Sequence, residues 1–311
     1  MYRLKPRHSI ASEVRHIVDK QLGLAVRKLR ATGDERSDDA VHEARRHVKK
    51  VRAVLRLVQP ALGDIYYTAN RRMRAATRML APIADGRSVV DTVANLQRRC
   101  STRLPRGTLA SIRSVLLECA ARIDRRAEID RVLPRAAGIL RIGRSRLASL
   151  TLNARGFQAI APGLEKSVRR ARKAMKRAIA HPTADAYHTW RRRAKDLWFQ
   201  MRLLEGRCND SLLADQRGLE ALDGCLGELH NVVVLERVLM KEALIARGDA
   251  ARCLRLTHRY RAYLRRRAAK LGRLVCREKP RQFVRRIRRE WDSAKAADPA
   301  AKRRARWLRA A

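Results

Sequence analysis

The sequence predicts an all-α protein that consists of two related helical bundles. Three observations support this prediction. Ala, Leu and Arg, which all favour helices, dominate the composition, while strand signals are sparse. Prolines recur at intervals of helical length, and one histidine-containing motif appears twice at a long period.

The prolines divide the chain into helical segments, because a proline ends a helix or occupies its first turn. The prolines between residues 8 and 296 are Pro60, Pro82, Pro105, Pro134, Pro162, Pro182 and Pro280. The β-branched run NVVVLERVL at residues 231–239 continues a helical period and does not alternate as a half-buried strand would. About eight to ten helices are therefore expected.

A repeat links the two halves of the chain. DAVHEARRHVKK at residues 39–50 returns as DAYHTWRRRAKD at residues 185–196. Helices of similar composition share scattered Leu and Arg residues, but they do not readily share D-A-x-H-x-x-R-R-x-x-K at one offset. The repeat predicts two bundles of about four helices each, over residues 8–155 and 160–296, packed as a pseudo-dimer. Residues 297–311 are expected to form a basic C-terminal tail.

Each copy of the repeat places a histidine at the head of a line of cations, here called a ladder. Positions 0, 3, 7, 10 and 14 stay within one stripe of a helix at about 100° per residue. The first ladder is His42, Arg45, Lys49, Arg52 and Arg56, and the second is His188, Arg191, Lys195 and Arg202. Arg46 and Arg192 match beside the ladders, and Trp198 replaces the fourth cation of the second.

The ladders predict an anion site, because like charges one turn apart are unfavourable without a counter-anion. Each histidine follows a plausible N-cap, Ser37 or Asp38 in one copy and Thr183 in the other, so the helix dipole also favours an anion. The opposite sides are apolar and expected to pack: Val51, Val54, Leu55 and Val58, then Leu197, Phe199, Met201 and Leu204. Two facing ladders would line a positive groove for a string of phosphates. The rival interpretation is a merely basic surface.

The overall charge limits the class of partner. A formal net charge of +43, from 73 basic and 30 acidic residues, makes the cations of a compact chain repel one another. A polyanion such as nucleic acid, an anionic membrane or a phosphate polymer would relieve this repulsion. Two further segments add cations at helical spacing: Arg71, Arg74 and Arg78, then Arg169, Arg172, Lys173 and Lys176.

A cytoplasmic location is expected. The six cysteines, which are Cys100, Cys119, Cys208, Cys225, Cys253 and Cys276, contain no C-x-x-C pair and are typical of reduced, mostly buried thiols. The first twenty residues lack the apolar region of a signal peptide. Charges interrupt every apolar run before about 18 residues, so no membrane span is predicted.

An enzyme is not expected, and neither is a metal or a cofactor. HEARRH at residues 42–47 is one residue longer than the zinc motif H-E-x-x-H, which places His42 and His47 about 140° apart on a helix. The acids form no arrangement typical of phosphoryl-transfer metals. Sequence-independent nucleic-acid binding stays open, although aromatic residues make up only 4% of the chain and no base-reading motif is found. Binding to a membrane surface is less favoured.

The ladders carry a resemblance to a known family. VHEARRHVKKVRAVLRLV at residues 41–58 and YHTWRRRAKDLWFQMRLL at residues 187–204 resemble the histidine motifs of the CHAD family, which is all-helical. LGELHNVVVL at residues 226–235 is similar to a later segment of that family. The resemblance covers about residues 8–296.

The resemblance implies two four-helix bundles around a basic central channel. It also implies binding of inorganic polyphosphate, with recruitment to polyphosphate granules. The residues that would contact phosphate by this resemblance are His42, Arg45, Lys49, Arg52, Arg56, His188, Arg191, Lys195 and Arg202. A stand-alone binder is expected, because no E-x-E-x-K strand of a triphosphate-hydrolysing domain is present.

Overall fold

A computed structural model describes residues 2–5, 8–30, 38–81, 83, 114, 125–205, 210–241 and 247–297. Across these residues the chain is helical and contains no strand, which confirms the predicted all-α class. The helices are α1 (Ile10–Arg30), α2 (Asp38–Leu57), α3 (Gln59–Leu62), α4 (Ile65–Met79), α5 (Arg125–Arg146), α6 (Ala161–Ala180), α7 (Ala184–Leu204), α8 (Asp210–Lys241), α9 (Arg247–Val275) and α10 (Pro280–Ala297). A short 3-10 turn, Gly156–Ala159, precedes α6.

Most prolines in the described residues act as predicted. Pro60 and Pro162 lie in the first turn of α3 and α6, and α10 begins at Pro280. Pro134 is the exception, because it lies inside α5. We attribute this to packing, since Leu133, Ala136, Ala137 and Leu140 are buried and α5 packs against α1 and α4. Pro82 and Pro105 lie outside the described residues.

Helix contacts fall into two groups that meet at the ladder helices. In the first group α1, α2, α4 and α5 pack against one another, and in the second α6, α7, α8 and α9 do so, with α10 on α6. The two groups meet where α2 packs on α7 and α6. One hydrophobic core continues from the first group into the second half of α7, while another lies between α6, α8, α9 and the first half of α7. The repeat boundaries 8–155 and 160–296 therefore stay a prediction.

Gly163 allows α6 to approach the end of α2 closely. A Cβ atom at this position would lie 1.8 Å from the carbonyl oxygen of Leu57. We expect Gly163→Ala to lower the free energy of unfolding by about 1–3 kcal/mol, because two backbones would have to separate. Chemical denaturation would measure this change.

Gly138 provides the matched control for that substitution. It lies inside α5, and a Cβ atom there would meet no atom within 4 Å. Gly138→Ala should raise stability by about 0.5–1 kcal/mol through helix propensity. Equal effects of the two substitutions would contradict the close approach of α6 to α2.

Candidate functional site

The two ladder helices pack against each other, and their predicted apolar sides are buried. Every apolar residue named for these two sides is at most 2% exposed. The side-chain amide of Gln200 on α7 donates to the carbonyl oxygen of Ala53 on α2 at 3.1 Å, which fixes the contact between the helices. Burial of the apolar sides leaves the ladders to meet along one edge of the helix pair.

The start of each ladder helix places its histidine in the second turn. α7 begins after Thr183, whose hydroxyl accepts a hydrogen bond from the amide of Ala186 at 3.2 Å, so the predicted N-cap is confirmed. α2 begins at Asp38, and Ser37 lies outside the described residues. His42 is exposed and His188 is half-buried.

Lys49 lies at the centre of the site, among cations of both ladders. Burial, together with the charges of Lys195, Arg45 and Arg191, lowers its pKa from the ordinary range to about 7. Burial also lowers the pKa of the Arg191 guanidinium, against the carboxylate of Asp223. Half-buried cations at this density destabilise one another, so the centre of the site favours an anion.

The interactions across the helix pair are reciprocal. His42 interacts with Lys195, and His188, which is 146 residues after His42, interacts with Lys49. Arg56 pairs with Asp196. In the repeat Arg56 corresponds to Arg202 and Asp196 to Lys50, and Lys50 and Arg202 also lie close to each other. The charges of the two ladders therefore act on each other at matched positions.

An unpredicted carboxylate holds the far end of the first ladder. Arg56 forms an ion pair with Asp196 at 2.5 Å, and the Nε of Arg52 donates to the side-chain oxygen of Asn70 at 3.1 Å. Burial raises the pKa of Asp196, although Arg56, Arg52 and Arg193 act to lower it. Burial and the charge of Arg56 lower the pKa of Arg52 to about 10.

Two carboxylates therefore pair with ladder cations, although the spacing of the ladders predicted neither of them. Asp196 accepts from Arg56, and Asp223 on α8 accepts from the ammonium of Lys195 at 2.8 Å. The first acid was visible in the sequence as the final residue of the second motif, where the first copy has Lys50. The second comes from another helix, and the repeat gave no signal for it.

Aromatic rings occupy the end of the second ladder. The guanidinium of Arg202 lies 5.3 Å from the ring centre of Trp198, and the ammonium of Lys195 lies 5.9 Å from it. Lys50 lies similarly over the ring of Tyr2, at 5.5 Å. Cation–π contacts hold cations in place without neutralising them, so Arg202 keeps its charge for a ligand.

A third histidine extends the second ladder. His230 on α8 lies next to His188, with 5.1 Å between the ring centres. Burial, together with the charges of Arg191 and His188, lowers the pKa of His230 to about 4. Both rings line a cavity of about 290 Å³ that also contacts Arg237 and Arg265. The sequence signal for His230 was the segment at residues 226–235.

The comparisons with known proteins agree with this architecture. The family model described as the CHAD domain matches residues 18–240. The chain belongs to the CHAD family. A crystal structure of the CHAD domain from the plant Ricinus communis has the same fold, with a TM-score of 0.54 and 16% sequence identity over 96% of this chain and 95% of that chain. No curated protein matches the sequence.

The remaining predicted residues of this CHAD protein lie beside the ladders or away from them. Arg46 and Arg192 are exposed beside the ladders. Arg74 on α4 lies near Arg52 and lowers the pKa of Arg52, although less than burial and the charge of Arg56 do. Arg78 is exposed on the same helix. Lys173 and Lys176 are exposed on α6.

Two predicted cations of α6 have partners elsewhere. Arg169 pairs with Glu165 at 2.5 Å, and Arg172 donates to the carbonyl oxygen of Cys276 at 2.7 Å, where α9 ends. The prediction missed Arg193, which is close to Asp196, and Arg170, which is close to Arg193. Each directly follows a predicted cation, so spacing alone did not distinguish them.

His42 and His47 lie on different sides of α2, as the sequence indicated. His47 is buried, its Nδ1 lies 2.8 Å from the side-chain oxygen of Gln21 on α1, and burial lowers its pKa to about 4. His42 is exposed at the ladder. Of the predicted thiols, Cys225, Cys253 and Cys276 are buried, while Cys100, Cys119 and Cys208 lie outside the described residues.

None of the described helices is long and apolar enough to cross a bilayer. The predicted basic tail at residues 297–311 lies outside the described residues after Ala297.

Proposed function

We propose that this CHAD protein binds inorganic polyphosphate in the groove between α2 and α7 and does not convert it chemically. The supporting observation is the position of Lys49, half-buried among Arg45, Arg191 and Lys195. A chain of phosphates supplies closely spaced negative charges that would neutralise all four cations. Location in the cytoplasm, at polyphosphate granules, is part of this proposal.

The chemistry of the groove suits non-bridging phosphate oxygens. Arginine donates two parallel hydrogen bonds to such oxygens, and lysine contributes a compact charge. His42 and His188 would donate hydrogen bonds and become more cationic as phosphate approaches. Because binding would release counterions, affinity should fall steeply as the salt concentration rises.

A competition assay near physiological salt tests the ligand. The protein would hold labelled long-chain polyphosphate while unlabelled short polyphosphate, single-stranded RNA or duplex DNA competes at equal phosphate concentration. We expect long-chain polyphosphate to compete best, because its charge density matches cations from two facing helices. Equal competition by RNA or DNA would contradict a polyphosphate groove and favour a general nucleic-acid surface.

Binding of long-chain polyphosphate should weaken as the pH rises through about 7, where unbound Lys49 loses its proton. A bound anion raises the pKa of this ammonium group, so binding at pH 8 should take up as much as about one proton. Below pH about 7 unbound Lys49 is already protonated, so its contribution to the proton uptake should disappear. Calorimetry in buffers of different ionisation enthalpy would measure the proton uptake.

Lys49→Arg is the matched control for the pH dependence. Arginine keeps its charge at pH 8, so the variant should bind with less proton uptake and a flatter pH profile. Long chains are used because the titrating terminal phosphates are then a small fraction of the ligand. Identical pH profiles for the variant and the natural protein would refute the assignment to Lys49.

A further inference from the structure

The outer face of α9 carries a second line of cations, which the ladders do not include. This line, here called the α9 stripe, falls within an arc of about 80° and extends about 32 Å along the helix. Its cations are Arg252, Arg255, Arg259, Arg266, Lys270 and Arg273. All six are exposed, and Tyr263 lies at one edge of the same arc, about midway along the stripe.

The α9 stripe is not neutralised by acids of the described residues. Among the described residues, no carboxylate lies within 4 Å of its six cations, whereas Arg261, on another side of the helix, pairs with Glu236 at 2.5 Å. Exposed arginines with acidic partners occur on other basic helices, as Arg169 does on α6 and Arg288 on α10. Six unneutralised cations along one straight face are a matching surface for a polyanion.

The α9 stripe is separate from the groove. The opposite side of α9 is buried through Leu264 and Ala268, and α9 packs mainly on α8. No stripe cation is among the charges that shift the pKa of Lys49 or His188. A ligand on the stripe would therefore leave the groove accessible.

An aromatic pair at the centre of the stripe distinguishes its ligand from polyphosphate. The rings of Tyr260 and Tyr263 stack with centres 6.0 Å apart and an angle of 14° between their planes. The hydroxyl of Tyr260 donates to Glu228, which holds the inner ring, while Tyr263 is 45% exposed. A rigid ring with one open face among cations can stack a nucleobase, and polyphosphate has no group to place there.

We propose that the α9 stripe binds single-stranded nucleic acid, with the cations on successive phosphates and one base stacked on Tyr263. A membrane surface is less suitable, because the apolar side of α9 is buried in the core. An acidic peptide would match the charge but would leave the exposed ring without a planar partner. The unpaired bases of a single strand can reach the ring, whereas those of a duplex are already stacked on one another.

Fluorescence anisotropy with a short labelled RNA that lacks secondary structure tests the stripe. Replacing all six stripe cations with Gln should lower affinity by at least about 100-fold and reduce the slope of log affinity against log salt by about 4. The matched control replaces six exposed cations of α5 and α10: Arg131, Arg135, Arg141, Arg146, Arg285 and Arg289. Equal losses in the two variants would overturn the proposal, because only diffuse charge would be involved.

Tyr263→Leu tests the stacking separately from the charge. This variant should bind the RNA about 5–20-fold more weakly, but bind an abasic strand with the same number of phosphates unchanged. Unchanged RNA binding, or tighter stripe-dependent binding of duplex DNA or anionic vesicles, would overturn the assignment to a single strand. The stripe variant should retain the polyphosphate affinity of its control, so failure of the stripe and failure of the groove can be distinguished.

Discussion

Replacing Arg45, Lys49, Arg191 and Lys195 together with Gln is expected to weaken binding of long-chain polyphosphate by at least about 100-fold. These four cations converge from two helices on one half-buried centre. A hydrogen bond to a charged group contributes about 1.5–3 kcal/mol, and each 1.4 kcal/mol is about tenfold in affinity. Filter binding or anisotropy over a range of salt concentrations would measure the loss.

The control for this variant removes the same charge from exposed positions. Arg131, Arg135, Arg285 and Arg289 lie on α5 and α10, outside the ladders. Their replacement with Gln should cost less than about tenfold, because exposed charges act on the ligand mainly through the screened overall field. Circular dichroism would verify that both variants fold. Equal losses would show that the groove contributes nothing beyond the net charge.

Asp196→Asn is expected to lower the free energy of unfolding by about 1–3 kcal/mol, because Arg56 loses its partner, and at the same time to tighten polyphosphate binding. The carboxylate is half-buried and pairs with Arg56, and Arg52 and Arg193 are also close to it. Asparagine keeps the shape but leaves these guanidinium groups without a counter-charge. A bound phosphate chain would replace that charge, so the ligand should restore much of the lost stability.

Asp19→Asn is the matched control, because Asp19 also pairs with an arginine but does so on the surface. Its carboxylate accepts from Arg144 at 2.6 Å, and both side chains are about half exposed, at 51% and 45%. An exposed pair contributes about 0–1 kcal/mol, so this change should be small. Thermal and chemical denaturation with and without ligand would compare the two. Loss of both stability and affinity in Asp196→Asn would contradict a site in which the Asp196 carboxylate and the ligand compete for Arg56.

The sequence predicted the helical class and the packing sides of the ladder helices well, because both depend on local periodicity. Val51 and Leu197 are buried where a period of 3.6 residues places them. It failed at Pro134, where a local rule predicted a helix end. The buried contacts of α5 come from distant segments, and those contacts were not readable from the neighbouring residues.

The site was predictable along each ladder helix but not across the helices. Spacing placed Arg45 and Lys49 on one stripe, since both belong to the same helix. Asp223 and His230 come from α8, and no period relates them to the ladders. The ionisation of Lys49 was equally hidden, because it depends on burial and on neighbours from a second helix.

The reciprocal arrangement of α2 and α7 bears on the direction in which a ligand lies. The pair His42 and Lys195 at one side is matched by the pair Lys49 and His188 at the other, so a phosphate chain would meet these contacts from either direction. A nucleic-acid strand has distinct 5′ and 3′ ends, but a phosphate polymer reads the same forwards and backwards. The two orientations of such a polymer along the ladders would therefore be equivalent. The two ends would still differ, because Asp196 pairs with Arg56 of the first ladder and Asp223 pairs with Lys195 of the second.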